Sequence, residues 1–266
     1  MAFEFHTDWD TYFNQQYENS KNYVLPFIEQ AKKIDENTRV MEIGCGEGGV
    51  LKAFTERNCK VVGVDLSPER VAKAERYMQE YVDKGLARFI AKNIYDVDFE
   101  KDFANAFDVI ILKDSIEHIP DQEKIIAQLH KYLAKDGVIF FGFPPWYMPF
   151  GGHQQICKNK WLSKLPYYHL LPAGLYKWIL EKAGEEPAAV QELLEIKDTG
   201  ISIERFERIV GRTGYQIINK NHYLINPIYK YKFKLEPRLQ LPIVKEIPFL
   251  RNFVTTCVYY LISTKY

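Results

Sequence analysis

The sequence predicts an α/β fold built on one doubly wound, mostly parallel sheet, and three observations carry that reading. From residue 38 to 143, short and nearly unbroken apolar runs alternate with helical patterns. Strands buried on both faces and joined by right-handed crossovers read this way. The first apolar run breaks into glycines and passes at once into a helix. The chain then ends in two further strands separated by an excursion, which adds an antiparallel hairpin and brings the sheet to seven strands.

The elements follow in order. Residues 1–37 form a helical lid segment: Asn19-Ser20 offers an N-cap for a helix over 21–33, with a kink or a later start at Pro26, that either simply packs on the sheet or carries Tyr12, Tyr17 or Tyr23 over a ligand. The core, 38–143, opens with a strand over 39–43, the glycines, and a helix to about 57. A second strand over 60–65 ends in Asp65, and Ser67-Pro68-Glu69 reads as N-cap, N1 proline and first-turn acid of a helix to about 82. Strands over 87–91 and 107–112, a helix over 122–133, and a strand over 138–143 after the Asp136-Gly137 turn complete it. Residues 144–199 interrupt the pattern as a proline- and aromatic-rich insertion with short helices near 175–183 and 188–195. The C-terminal part, 200–266, returns to the core with a helix over 202–212, a strand over 214–222, an excursion over 224–252 and a last strand over 255–263. Within the excursion, Tyr229 to Lys234 alternates aromatic and basic residues, as an edge strand with a charged face does; contact with phosphate, RNA or a membrane surface is the other reading.

Lys+Arg and Asp+Glu both number 35, so no global field draws the chain to nucleic acid or acidic lipid. Glu4, His6, Asp8 and Asp10 stand where a secretion signal needs an apolar core, and no apolar run reaches membrane-spanning length. Four cysteines without a CxxC pair fit a reduced, cytoplasmic protein. The sequence is silent on oligomeric state.

Gly44, Gly46 and Gly49 satisfy GxGxxG, and Asp65 follows about 20 residues later, where an acid accepts ribose hydroxyls. That pattern serves NAD and S-adenosylmethionine alike. Glu42 inside the first strand, the extra Gly48 and the terminal hairpin separate them. Val40-Met41-Glu42-Ile43-Gly44-Cys45-Gly46-Glu47-Gly48 resembles the first motif of class I S-adenosylmethionine-dependent methyltransferases, a Rossmann-like family. Val61 to Asp65, Phe89 to Ile94, and Phe107 to Ile110 with Asp114-Ser115-Ile116-Glu117-His118-Ile119 resemble the next three, with Asn93 where an aspartate is frequent. The resemblance implies a cofactor site. In it Gly44, Cys45, Gly46 and Gly48 admit the methionine part, Glu42 sits near its amino group, and Asp65 takes both ribose hydroxyls. Leu66 and Ile94 sandwich the adenine, Asn93 bonds its exocyclic amine, and Lys113 and Asp114 lie at the methyl end. Without the resemblance, Asp65 could equally cap the next helix and Asn93 serve a loop.

Methyl transfer to a hydroxyl or protonated amine needs alignment and a base. His118, just past the fourth strand, and His153, in the polar island Gly151-Gly152-His153-Gln154-Gln155, are the candidates. His153 and Cys157 make half a zinc ligand set, but no second pair accompanies them, so no metal is expected. Trp146 and Gln154 join the tyrosines as candidate substrate contacts, and the aromatic insertions suit a small, lipophilic or aromatic acceptor better than nucleic acid. An NAD-dependent oxidoreductase and a non-catalytic S-adenosylmethionine-binding protein remain the alternatives.

Overall fold

A computed structural model describes residues 8–96 and 101–265; the first seven residues of the expected lid segment lie outside it. Its sheet has eight strands: β1 (Arg39–Ile43), β2 (Lys60–Asp65), β3 (Ala87–Ala91), β4 (Phe107–Lys113), β5 (Leu133–Phe143), β6 (Tyr215–Ile225), β7 (Arg238–Leu239) and β8 (Cys257–Thr264). Their order is β3-β2-β1-β4-β5-β8-β6-β7. The first five are parallel, and β8 inserts antiparallel between β5 and β6. The eighth strand, beyond the expected seven, is the two-residue β7 on the edge of β6.

β1 lies between β2 and β4, so the chain's direction of travel across the sheet reverses there. Crevices outside the carboxyl ends of such strands are where open α/β sheets bind ligands. The loops at that point are Gly44 to Gly48 and Asp114 to His118.

Two buried clusters cover the two faces. One packs Phe13, Phe27, Leu51 and Phe54 on Phe140 and Tyr259; the other packs Ile125, Leu129, Phe206 and Ile209 on Ile110, Phe141 and Tyr260. The 144–199 insertion owns a third, in which Cys157, Tyr168, Tyr176, Leu180 and Leu193 bury one another.

Three local expectations are corrected. Asn19-Ser20 is not an N-cap: α1 (Trp9–Asn19) starts earlier, with the Asp8 side chain accepting from the Thr11 N–H, and runs on through a π turn at Ser20–Val24 into Leu25–Glu29. Pro26 has no N–H to donate, and the wider turn, in which the Leu25 N–H reaches the Ser20 carbonyl, carries the helix past it. The helix expected to end near 82 breaks at Met78, into α3 (Pro68–Tyr77) and Gln79–Asp83, after α2 (Gly49–Thr55). Finally, the Tyr229–Phe233 run is helical, not an edge strand. Alternating types at spacing two mimic a strand, yet here the Lys234 backbone is left-handed and ends one helical turn.

Candidate active site

The glycine loop is shaped by contacts on both sides. Gly44 follows β1 with φ +75°, and a Cβ there would lie 2.6 Å from Ser115 Oγ, which itself donates to the Ile43 carbonyl at 2.9 Å. The amides of Gly44 and Cys45 both donate to the Val64 carbonyl, at 2.8 and 3.1 Å. Gly46 N–H donates to Asp65 Oδ2 at 2.9 Å, and Ser67 N–H to Oδ1 at 2.9 Å. Asp65 therefore braces the loop and the next turn, and each oxygen keeps a further lone pair for a hydroxyl donor.

Above the loop lies a small cleft of about 60 Å³, lined by Tyr12, Phe13 and Gln16 from α1, Glu42, Gly44 to Glu47, Arg70, Lys113 and Asp114. Glu42 is 1% exposed, and its Oε2 has no hydrogen-bond partner among the described residues. Burial pushes its carboxyl well above the ordinary value, against the pull of Lys113. A cationic group entering the cleft would supply the partner this acid lacks. Glu47, 2% exposed, accepts from Arg70 Nε at 3.0 Å. Lys113 is buried and donates to Gln16 Oε1 at 2.9 Å and to Asp114 Oδ2 at 2.5 Å, tying β4 to the lid helix. Burial opposes ionisation of Asp114, but Lys113 beside it holds its carboxyl below the usual range.

The expected adenine contacts divide. Leu66 is 72% exposed at the end of β2, whereas Ile94 is buried in the core and its carbonyl accepts from Gln128 and Tyr132. Asn93 is exposed, with Oδ1 accepting the Tyr95 N–H at 3.0 Å in a turn. Of the three lid tyrosines only Tyr12 lines the cleft; Tyr17 donates to the Glu56 carboxylate, and Tyr23 packs against the core.

On the other side of Asp114 the structure joins residues far apart in sequence. The rings of His118 and His153 meet edge to face with centroids 4.8 Å apart. Although the His118 side chain is exposed, the atoms packed around its ring take enough water from it to lower its pKa, with Asp114 pulling the other way, so the imidazole is mainly neutral at pH 7 and able to take a proton. Gln154, fully buried, positions the His153 loop: its Nε2 donates to the Pro149 carbonyl at 2.9 Å and to His169 Nδ1 at 3.2 Å. His169 Nε2 in turn donates to the Trp146 carbonyl at 2.9 Å, and burial pushes its pKa down to about 4. Trp146 packs its ring edge-on to His169 and against Gly200. Gln154 and Trp146 thus support the loop. Cys157 is buried against the Tyr168 hydroxyl at 3.3 Å.

Several residues of the site were assigned nothing from sequence. Glu47 and Arg70 form an ion pair across 23 positions, and no local signal marks it. Gln16 sits in the stretch without a helical period. Lys232 lies 5.6 Å from the Tyr12 ring, and burial lowers its pKa although Asp114 nearby raises it; its helix was read as a strand. Glu117 belonged to the quoted EH pair, but only its neighbour received a role.

Residues 15–188, well over half of the chain, match the family model described as a methyltransferase domain. The chain is 28% identical over 123 residues to the sterol 24-C-methyltransferase of Debaryomyces hansenii, covering 46% of this chain and 31% of that protein. It is 30% identical over 121 residues to the ubiquinone biosynthesis O-methyltransferase of Actinobacillus pleuropneumoniae serotype 5b, covering 44% and 50%. The chain thus spans about a third to a half of the length of these relatives. Among solved structures it resembles a methyltransferase in complex with the Trm112 activator from Haloferax volcanii (TM-score 0.59, 14% identity, 100% of this chain and 98% of that one). It also resembles the geranyl diphosphate C-methyltransferase of Streptomyces coelicolor A3(2), solved with Mg2+, geranyl diphosphate and S-adenosyl-L-homocysteine (0.55, 15%, 90% and 77%). At these identities the likeness establishes the fold.

Proposed function

We propose that this chain, which belongs to the methyltransferase-domain family of class I S-adenosylmethionine-dependent enzymes, transfers the cofactor's methyl group to an oxygen or nitrogen of a small acceptor with an aromatic or lipophilic body. The observation that carries the reading is Glu42: a buried carboxylate with an orphaned oxygen, facing a cleft made by a glycine loop and closed by Asp65 at the end of the next strand. An aliphatic ammonium beside a ribose diol satisfies both acids.

The cofactor, when bound, supplies an electrophilic methyl on a sulfonium. The chain's contribution is to hold and to exclude. Glu42 and the Gly44 to Gly46 backbone take the amino-acid end, Asp65 the ribose, and the exposed Leu66 side chain one face of the adenine. Tyr12, Phe13 and Gln16 roof the cleft and keep water from the reacting centre. Neutral His118, with His153 against it, is placed to receive the acceptor's proton.

The test is calorimetric titration of the protein and its Asp65→Ala variant with S-adenosylmethionine, followed by a small-molecule acceptor screen with methyl-labelled cofactor. Losing both ribose hydrogen bonds should weaken binding roughly tenfold or more. Unchanged affinity in the variant sinks the site assignment. Tight cofactor binding with no label transferred to any acceptor would favour a non-catalytic binder, and tight NADH binding in its place would overturn the reading.

A further inference from the structure

We propose that Glu117, His118 and His153 form a binding site for one divalent transition-series cation, beside the cofactor cleft and on the acceptor's side of it. One ligand atom from each of these residues lies within 4.8 Å of the others. Around a bound ion at about 2.0–2.2 Å from each ligand, those atoms would stand roughly 3.3–3.5 Å apart. The difference is about 1.5 Å, within reach of a rotation of His118, which is exposed.

The second observation is independent of that spacing. Glu117 is 3% exposed, and neither carboxylate oxygen has a hydrogen-bond partner among the described residues. A buried carboxylate left without a donor is costly, and a structure that keeps one is expected to have a use for it. Lys113, whose charge acts on Glu117, is already committed to Asp114 and Gln16. Asp114 stands close enough to act electrostatically on Glu117, His118 and His153; burial first and then Asp114 push the Glu117 carboxyl well above its ordinary value, a cost that a bound cation would offset.

Backbone geometry agrees. Asp114 and His153 both hold left-handed conformations, φ +52° and +53°, which non-glycine residues adopt at a cost. The His153 loop is fixed from behind: a Cβ on Gly151 would lie 2.2 Å from the Trp146 carbonyl oxygen, and one on Gly152 would lie 2.4 Å from the His169 Cβ. Only glycines allow that approach, and it directs the next residue toward His118. The strain and the packing both serve to present one imidazole to another.

Two histidines and one carboxylate favour Zn2+, Mn2+ or Fe2+ over Mg2+, which prefers oxygen ligands. Three protein ligands leave open positions. An acceptor oxygen taking one of them would be held in place and would lose its proton more readily, to water, because the ion then occupies the accepting nitrogen of His118; this role rests on the methyl-transfer reading, whereas binding of the ion does not.

The experiment titrates Zn2+ by calorimetry, and Mn2+ by electron paramagnetic resonance, into the chelator-treated 266-residue chain without cofactor. S-adenosylmethionine affinity is measured on the same samples to show that each variant is folded. One equivalent of Zn2+ per chain is expected, with Mg2+ binding more weakly. Glu117→Gln, His118→Ala and His153→Ala should each weaken Zn2+ binding by at least about 100-fold while retaining cofactor affinity. His118→Ala alters an exposed side chain and keeps the test valid if the buried Glu117 variant unfolds. Absence of stoichiometric Zn2+ and Mn2+ binding, or affinity that these substitutions leave unchanged, overturns the proposal. A chain that transfers methyl but binds neither Zn2+ nor Mn2+ would sink this inference alone; metal binding without any transfer would sink only the reading of function.

Discussion

Replacing Glu42 by glutamine keeps the shape of the side chain and removes its charge. In the cleft the carboxylate is the group available to a cofactor ammonium, being buried with one oxygen unpaired. Glutamine can still accept one hydrogen bond, so the loss is that of charge assistance, about 1.5–3 kcal/mol, or roughly 10- to 150-fold in affinity. The same burial that leaves this acid unpaired raises its pKa, which gives two pH signatures. First, the ammonium needs an ionised partner, so wild-type affinity should rise with pH above the ordinary carboxyl value of 4.5, while the variant's should stay nearly flat. Second, a carboxyl whose folded pKa stands above its unfolded value favours the folded state while protonated. Its contribution to the ligand-free protein is intact below the ordinary value of 4.5 and is lost as pH climbs through the folded value. Glutamine has no such loss, so the melting temperature of Glu42→Gln should gain on wild type as pH increases. Calorimetry and thermal unfolding at four pH values between 5 and 8 measure both. Equal affinity at pH 7.5, or a melting difference that does not change with pH, would refute the placement of a cofactor ammonium on this acid.

Two further substitutions test the loop around it. Gly44→Ala forces a Cβ to within 2.6 Å of Ser115 Oγ at φ +75°, so it should cost at least about 1–2 kcal/mol in urea unfolding and weaken cofactor binding together; a neutral effect would mean the β1 turn is not as drawn. Arg70→Ala leaves Glu47 buried without its ion pair and should cost about 1–3 kcal/mol, with a smaller loss of cofactor affinity because Arg70 also lines the cleft; stability unchanged within 0.5 kcal/mol, roughly the noise level for exposed substitutions, would show the pair to be ornamental.

The regular half of the fold was legible because its signals are local. β1, β2 and β3 fall on the expected residues, since continuous apolar runs ending in glycine or an acid have little else to be. Ser202 caps its helix as its residue type demands, accepting the Arg205 N–H at 3.1 Å. What failed depends on partners distant in sequence. Tyr229–Phe233 looked like a strand, and only packing beside Asp114 and Tyr12 makes it a single helical turn. The weighing of zinc, which ended with no metal expected, looked only at the nearest cysteine to His153 along the chain. In space Cys157 turns into the insertion's own core, and the partner of His153 is a histidine 35 positions upstream. Glu117 was marked only as a member of the Asp114 to Ile119 motif: that it is buried and unpaired is a property of the assembled site.

The same distinction changes what the acceptor must look like. Aromatic residues crowd the insertion, and from sequence they suggested an apolar pocket over the methyl group. In the structure Tyr168 and Tyr176 are consumed by the insertion's own core, and Trp146 braces the His153 loop. The side chains around Asp114 are Lys113, Lys232, His118, His153 and Glu117, with Tyr12 above. A wall of this kind stabilises little that is purely hydrocarbon, because each of its groups would lose water without gaining a partner. On the proposed reading it suits an acceptor whose reacting end is an ionisable hydroxyl or amine, with any lipophilic body extending away from the charged cluster.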